Sequence, residues 1–404
     1  MSAQSPSKLR SALIICVLAL LSIFPPLATD MYLAAMGHIA EAFETTHAAT
    51  ELSLSLFFLG LCVGQLFVGP LTDALGRRLP LLIGTAVFTL TSVGLLLTTD
   101  ITIFNGIRVI QALGACAGMV VGRAIVTDLY HGRKAAQVLT LVVMLMTLGP
   151  IVAPSLGSVL LTCFGWQSIF YMLICVGIAA FVLTFFIIPE TLPKAARHPD
   201  AISRAAPKLF ELVKRREFIL PALITGFIQA PMFAFITASS GVFQVGFGLS
   251  SLEYGLLFGL VASALVIFGQ LNNMLLNRFG PRQIMTVALP LFAVATGLFF
   301  AVSGSTLIWM IVPPLWMTIG LVGLLTANAM SIAMEGSEGY AGLGSAGIGA
   351  VQFGLAFSVS SLVALAGTGS AFPMATAMVI CAIAALGLWL IETRLRRTPA
   401  ALAN

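Results

Sequence analysis

Two ionisable residues lie where a charge is hardest to keep. Asp30 falls well inside the first long apolar run of this 404-residue chain, and Arg108 lies inside the fourth. A carboxylate at that depth must face protein or a water-filled cavity, because exposure to lipid is costly, and such charges ordinarily mark pathways. The segment leading to it, Pro25-Pro26-Leu27-Ala28-Thr29, begins with two prolines that disturb a helix and can open a polar pocket. A nearby arginine favours the charged carboxylate and burial favours the neutral acid, which leaves a group able to take up and release a proton. The static alternative is a bridge from Asp30 to Arg108, or to backbone, that only orients helices.

The elements that must hold these residues follow from composition. Hydrophobic side chains make up 59% of the chain and charged ones 9%, against about 25% charged in soluble proteins. Apolar runs recur, and each matches the roughly 20 residues a helix needs to cross hydrocarbon. They do not alternate as barrel strands would. Spans are expected near 11–35, 50–70, 79–98, 101–122, 136–162 and 165–188, then near 218–240, 252–276, 283–303, 306–331, 343–366 and 371–391. The first run is too long for a signal-peptide core and lacks a small-residue cleavage pattern, so it reads as a retained helix. Of the acids, only Asp30 lies well inside a span; the others fall in loops or near predicted helix ends.

Lys and Arg sort to one side of this twelve-span arrangement. Lys8, Arg10, Arg77, Arg78, Arg133, Lys134, the cluster from Lys194 to Arg216, Arg278, Arg282, Arg394, Arg396 and Arg397 share the side of both termini. Positive charge is retained in cytoplasmic loops, so both termini are expected in the cytoplasm. The net charge of +5 is therefore an orientation signal, and a nucleic-acid partner loses its support. Arg123, near a cytoplasmic helix end, can snorkel, which favours a structural or gating role over cargo contact. The six cysteines show no close pairing. His38, His47, His131 and His198 fall in or beside loops, and no HExxH, GxSxG or Walker-type loop appears. No cofactor or metal is expected, an embedded enzyme ranks low, and an ATP-driven pump is excluded for this chain alone.

The chain repeats itself. Asp73-Ala74-Leu75-Gly76-Arg77-Arg78 follows the second span and Asn277-Arg278-Phe279-Gly280-Pro281-Arg282 follows the eighth, with Gly64-Gln65 and Gly269-Gln270 just upstream. Duplicated halves of this kind typify transporters. The expected organisation is a six-helix bundle over 1–189, a cytoplasmic linker over 190–217 and a second bundle over 218–404. The linker carries Pro193, Pro199 and Pro207 among mixed charges, as a surface tether does, and its Leu209 to Val213 stretch can form a short interfacial helix.

These residues resemble the major facilitator superfamily. Gly69-Pro70-Leu71-Thr72-Asp73-Ala74-Leu75-Gly76-Arg77-Arg78 is similar to its loop between second and third helices, departing at Ala74, where a basic residue is usual. By that resemblance Asp128 is the partner of Arg77. Arg108-Val109-Ile110-Gln111-Ala112 resembles the fourth-helix Arg-x-x-Gln-Gly motif, with Ala112 replacing glycine. Gly149-Pro150-Ile151-Val152-Ala153-Pro154-Ser155-Leu156-Gly157-Ser158 is similar to the superfamily's antiporter motif, with Ala153 and Ser158 where glycines are common. Its prolines and small residues suit a pliable hinge, or an ordinary kinked helix. Closer still, Ala28–Leu33, Arg123–Tyr130, Gly165–Phe170 and Pro189–Pro193 resemble the bicyclomycin and chloramphenicol resistance family of drug:proton antiporters; in the second half the main similar stretch is 342–353.

The resemblance implies an all-α membrane protein that exports small, largely apolar compounds by alternating access, monomeric, multi-pass in the bacterial inner membrane. Protons, a small-molecule substrate and lipid are its expected partners. Asp30 with Arg108 is the expected coupling site, and the lack of an intramembrane acid in the second half points to one proton per cycle. Cargo contacts are expected from a mostly apolar pocket with a few polar groups, drawn from Tyr32, Gln111, Gln229, Phe233, Asn272, Asn273 and Gln352, although ordinary helix packing is the better reading for each aromatic. The competing reading within transport is a proton-coupled carrier of one specific metabolite, such as a nucleoside, sugar or amino acid.

Overall fold

The computed structural model describes residues 8–198, 200–337 and 340–401. Pro199 and the side chains of Lys8, Arg133 and Arg397 lie outside what it describes. All of its long elements are helices. The first set is α1 (Lys8–Ser22), α2 (Phe24–Leu33), α3 (Met36–Ala42), α4 (His47–Leu75), α5 (Arg78–Leu97), α6 (Ile101–Leu129), α7 (Gly132–Phe164) and α8 (Gln167–Ile187). After α9 (Ala201–Lys214) come α10 (Arg216–Ser240), α11 (Ser251–Leu276), α12 (Pro281–Val302), α13 (Ile308–Glu335), α14 (Ala341–Ala366) and α15 (Phe372–Ala401). Among the described residues eleven stretches are long and apolar enough to cross a membrane, or twelve with α1 and α2, bent by 41°, taken together as one span. The chain is a multi-pass membrane protein. Phe186 and Trp309 are 78% and 77% exposed, an apolar surface that suits lipid rather than water.

The first span is broken rather than continuous. Pro25 and Pro26 have no N–H to offer the carbonyls of Leu21 and Ser22, so the α1 ladder stops, and their fixed φ suits them to open α2. The Leu21 carbonyl turns to α6, where a Cβ on Gly118 would sit 2.9 Å from its oxygen.

By compactness the chain divides into one unit comprising residues up to Thr45 with Leu56–Ala206, and another comprising Thr46–Ser55 with the chain from Pro207 onward. In the first, glycines set the helix spacing. Gly60 and Gly64 of α4 lie on α6, where added Cβ atoms would come within 2.6 Å of Ala112 and 2.7 Å of Cys116. The missing side chain at Gly60 therefore makes room for Ala112, the departure from the Arg-x-x-Gln-Gly pattern. Gly114 meets α5 at Gly84 and Phe88, a small-residue contact of the kind that lets membrane helices approach without apolar driving force.

In the second unit α10 packs on α13, α14 and α15, and α11 on α13. Gly323 sits 2.9 Å from the Leu265 carbonyl as measured from an ideal Cβ, and Phe235 stacks on Phe258 at 4.6 Å. Helix α9 starts earlier than the 209–213 stretch expected from sequence. Its Leu212 is buried with Phe218, Ala222, Ala333 and Ile348, while Phe210 stays exposed beneath Lys214.

Candidate functional site

Asp30 is 1% exposed, and α2 buries all its residues except Leu27. The Thr29 hydroxyl lies 2.8 Å from Asp30 Oδ1 and 2.9 Å from the Pro25 carbonyl oxygen. With one proton it donates to one of these at a time. A carboxylate at Asp30 takes that proton; a protonated Asp30 can instead donate to Thr29 while Thr29 turns to Pro25, whose carbonyl lies one turn back. Both charge states of the acid thus find a partner without moving the helix.

Arg108, fully buried, does not pair with Asp30. Its Nη2 donates to the Ala28 carbonyl (3.0 Å) and its Nη1 to Gln111 Oε1 (2.7 Å), while Nε has no hydrogen-bond partner among the described residues. The guanidinium carbon lies 4.8 Å from the Tyr32 ring centre and 4.7 Å from that of Phe57, a cation–π cage. Gln111 passes the chain on by donating to Ser92 Oγ (2.8 Å), which donates to the Phe88 carbonyl (2.7 Å). The structure therefore brings Arg108, Tyr32 and Gln111 together around α2, and Arg108 grips that helix two residues before the acid.

The α7 motif lies on the same helix. A Cβ at Gly149 would come within 2.7 Å of Pro26, and one at Gly157 would run into the Met31 backbone. Pro150 and Pro154 lie within the helix, and the Pro154 carbonyl accepts from the buried Ser158 hydroxyl at 2.8 Å. Ala153 and Ser158, the departures from glycine, are both buried. Glycine at 157 lets α7 touch the backbone beside Asp30, so Gly157→Leu should cost about 1–3 kcal/mol by overpacking and lower both thermal stability and transport. Gly297→Leu, where an added Cβ meets nothing within 4 Å, is the control; equal stability of the two variants would refute the contact's importance.

At the motif loop Arg77 is the hub. Its Nη1 donates to Asp73 (2.6 Å) and Thr72 (2.9 Å), and its Nε donates to Asp128 (3.1 Å), the partner expected by resemblance. Asp128 also accepts from Thr191 at 2.7 Å. Glu190 receives the Arg77 N–H at 2.9 Å and pairs with Arg197 at 3.2 Å, so the start of the linker completes the network. Arg78 donates to the Phe185 carbonyl. Gly76 has φ of 96° and a Cβ there would strike Glu190 and Arg197. Gly76→Ala is expected to lose about 1–2 kcal/mol from the left-handed backbone alone, read as a lower melting temperature in detergent with impaired transport. Gly69 is under no such steric demand, since a Cβ there meets nothing within 4 Å. Arg123 is half-buried with its Nε on the Met119 carbonyl at 3.3 Å.

The second-unit residues are dispersed. Asn272 is buried and accepts from Asn328 at 2.6 Å, while its neighbour Asn273 is exposed. Phe233 packs on Phe353 with ring centres 5.8 Å apart; Gln229 is half-buried and Gln352 buried. An apolar cavity of about 790 Å³ among α11, α12 and α13 is lined by Phe268, Val287, Leu291 and Leu324 and includes none of these polar candidates.

Sequence reasoning passed over Asn328, legible only as a polar residue in an apolar run. It also missed Glu51. Placed at a span edge by hydropathy, Glu51 is instead fully buried one turn into α4. The signal was its spacing of four from His47, with which it pairs at 3.0 Å.

Three comparisons bear on this arrangement. A family model described as Major Facilitator Superfamily matches residues 18–367. The chain is 29% identical over 370 residues to a bicyclomycin resistance protein homolog of Haemophilus influenzae, covering 91% of this chain and 93% of that one. It is 30% identical over 295 residues to the multidrug resistance protein MdtL of Shigella flexneri serotype 5b, covering 73% and 74%. Among solved structures, a D-xylose-proton symporter matches with TM-score 0.74 at 14% identity, covering 94% and 97%; that likeness is one of fold.

Proposed function

The chain belongs to the major facilitator superfamily, and from that membership we propose that it is a proton-coupled antiporter of the bacterial inner membrane that exports small, largely apolar compounds, drugs among them. Asp30 carries the reading. It is an acid buried on a broken span, with a hydroxyl that serves either of its protonation states. Intramembrane acids of this kind form proton relays. Proton and cargo compete for one state of Asp30, so that inward proton flow is linked to outward cargo flow as the cavity alternates. Arg108 holds α2 through Ala28 and positions the acid. Gly149, Pro150, Pro154 and Gly157 let α7 slide or flex along that helix, and Gly69, Asp73, Gly76, Arg77, Arg78, Arg123 and Asp128 gate the cytoplasmic end. Tyr32, Gln111, Gln229, Phe233, Asn272, Asn273 and Gln352 supply cargo contacts. The one-sided Lys and Arg distribution supports cytoplasmic termini, and the working unit is a monomer.

The export of drugs finds support in the relatives named for bicyclomycin and multidrug resistance. Cells lacking the gene, compared with cells overexpressing it, should differ in tolerance to several apolar antimicrobials. Unchanged tolerance across the panel, with altered release of one metabolite into the medium, would replace drug efflux by carriage of that metabolite.

A further inference from the structure

The mechanism above uses one buried acid, and the second unit holds another. Glu51 belongs to the 46–55 segment that clusters with the chain from Pro207 onward. Its side chain is fully buried. Thr368 Oγ1 donates to Oε1 at 2.5 Å and His47 Nδ1 lies 3.0 Å from the same oxygen. Oε2 has no partner among the described residues, and neither does the buried Nε2 of His47. The pocket is shaped for this carboxyl: a Cβ on Gly241 would sit 2.8 Å from Oε1 and overlap Thr368.

Among the described residues of this unit, His47 is the one ionisable group paired with Glu51. The wall segments 237–250 and 366–371 contain no titratable side chain, and the next acid, Glu253, is exposed and occupied in capping α11 through Ser250. The charge of the pocket is therefore set by the protons on the His47–Glu51 pair. With one proton the pair is neutral, either as acid and imidazole or as carboxylate and imidazolium. With none, a bare carboxylate stays buried with half its lone pairs unmet; with two, an imidazolium faces a neutral acid. Burying either net charge is costly, so the docked arrangement favours one proton. His47, whose side chain is 22% exposed, provides the way in.

We propose that His47, Glu51 and Thr368 form a second proton-binding site, a latch at the membrane face opposite the basic loops that stays docked only while the pair holds a single proton. The proton comes from the outer compartment and returns to it when the latch opens, so Asp30 still sets the number carried per cycle. What the latch sets is how fast the outer end can close at a given external pH. This rests on the antiport reading and on the orientation given above.

The test uses the full-length protein in right-side-out vesicles, with external pH varied at a fixed pH difference. Wild-type flux is expected to fall on both the acid and alkaline sides. Glu51→Gln keeps the acceptor for Thr368 without a titrating proton, so it should lose the alkaline limb while keeping its cargo-to-proton ratio. An alkaline limb identical to wild type overturns the latch. Hydrogen exchange of the 47–55 amides in detergent, corrected for intrinsic rates, reads docking without transport. Over the alkaline range, protection that declines with rising pH in wild type and stays flat in Glu51→Gln supports the latch, and a wild-type profile flat over that range overturns it. Failure of the antiport reading shows separately, as absence of pH-driven flux in wild type with the exchange difference intact.

Discussion

Asp30→Asn is expected to insert in the membrane, bind cargo and exchange it at equilibrium, yet to lose all transport driven by a pH difference. Asparagine matches the shape of aspartate and can still accept from Thr29 at the position of Oδ1, 2.8 Å away. It has no proton to release. The variant should therefore offer cargo a site with no proton to compete for it, able to cycle when cargo is present on both sides and unable to convert a proton gradient into a cargo gradient. Two measurements separate these functions in the same vesicles: counterflow of labelled cargo at symmetric pH, and uphill accumulation under an imposed pH difference. Retained counterflow with no uphill transport is the expected pair. Normal uphill transport would remove Asp30 from the coupling step. Loss of both, with the melting temperature unchanged, would assign Asp30 to cargo binding instead.

The parts of this arrangement that could be read from sequence are those fixed by local rules. Apolar runs of spanning length mark the helices because every backbone group must be satisfied within its own span, and eleven such stretches plus the bent pair appear where hydropathy put them. Pro25-Pro26 marked a disturbance, since each removes a ladder donor, but neither the 41° bend nor the close approach of the Leu21 carbonyl to Gly118 of α6 could be read from them. Asp128 was legible as the partner of Arg77 through a motif that specifies a loop. Partnerships set by helix rotation were not. Arg108 lies 80 residues from Ala28, and whether its fork meets a carboxylate or a carbonyl depends on side-chain direction across a packed interface. Asn272 shows the same limit, since its partner Asn328 comes from the other side of a helix pair. Glu51 lies near the span edge, as hydropathy put it, but its burial depends on Thr368 and Gly241, both far away in the chain, which hydropathy does not report.

Arg108→Met is expected to abolish coupled transport with only a small change in thermal stability. A guanidinium with no exposure is expensive to keep, and among the described residues no carboxylate pairs with it. The Tyr32 and Phe57 rings return about 0.5–2 kcal/mol each, and two charge-assisted hydrogen bonds return about 1.5–3 kcal/mol each. Against this stands a desolvation penalty of several kcal/mol, while in the variant the Gln111 and Ala28 acceptors are left without their donor, so the opposing terms are of similar size and the net change in stability is small. A residue retained only to join α6 to α2 would gain nothing from being charged. One retained to hold the backbone beside Asp30, and to present a fixed positive field when that acid gives up its proton, must be arginine. Lysine is a poor substitute, because a single ammonium cannot reach Ala28 and Gln111 in the planar fork that Nη1 and Nη2 provide. Arg108→Lys should therefore fail in coupling as well, with Arg108→Met the more stable of the two. Coupled transport surviving in Arg108→Met, or a large fall in its melting temperature with transport retained in Arg108→Lys, would make Arg108 a structural clamp and leave Asp30 to work alone.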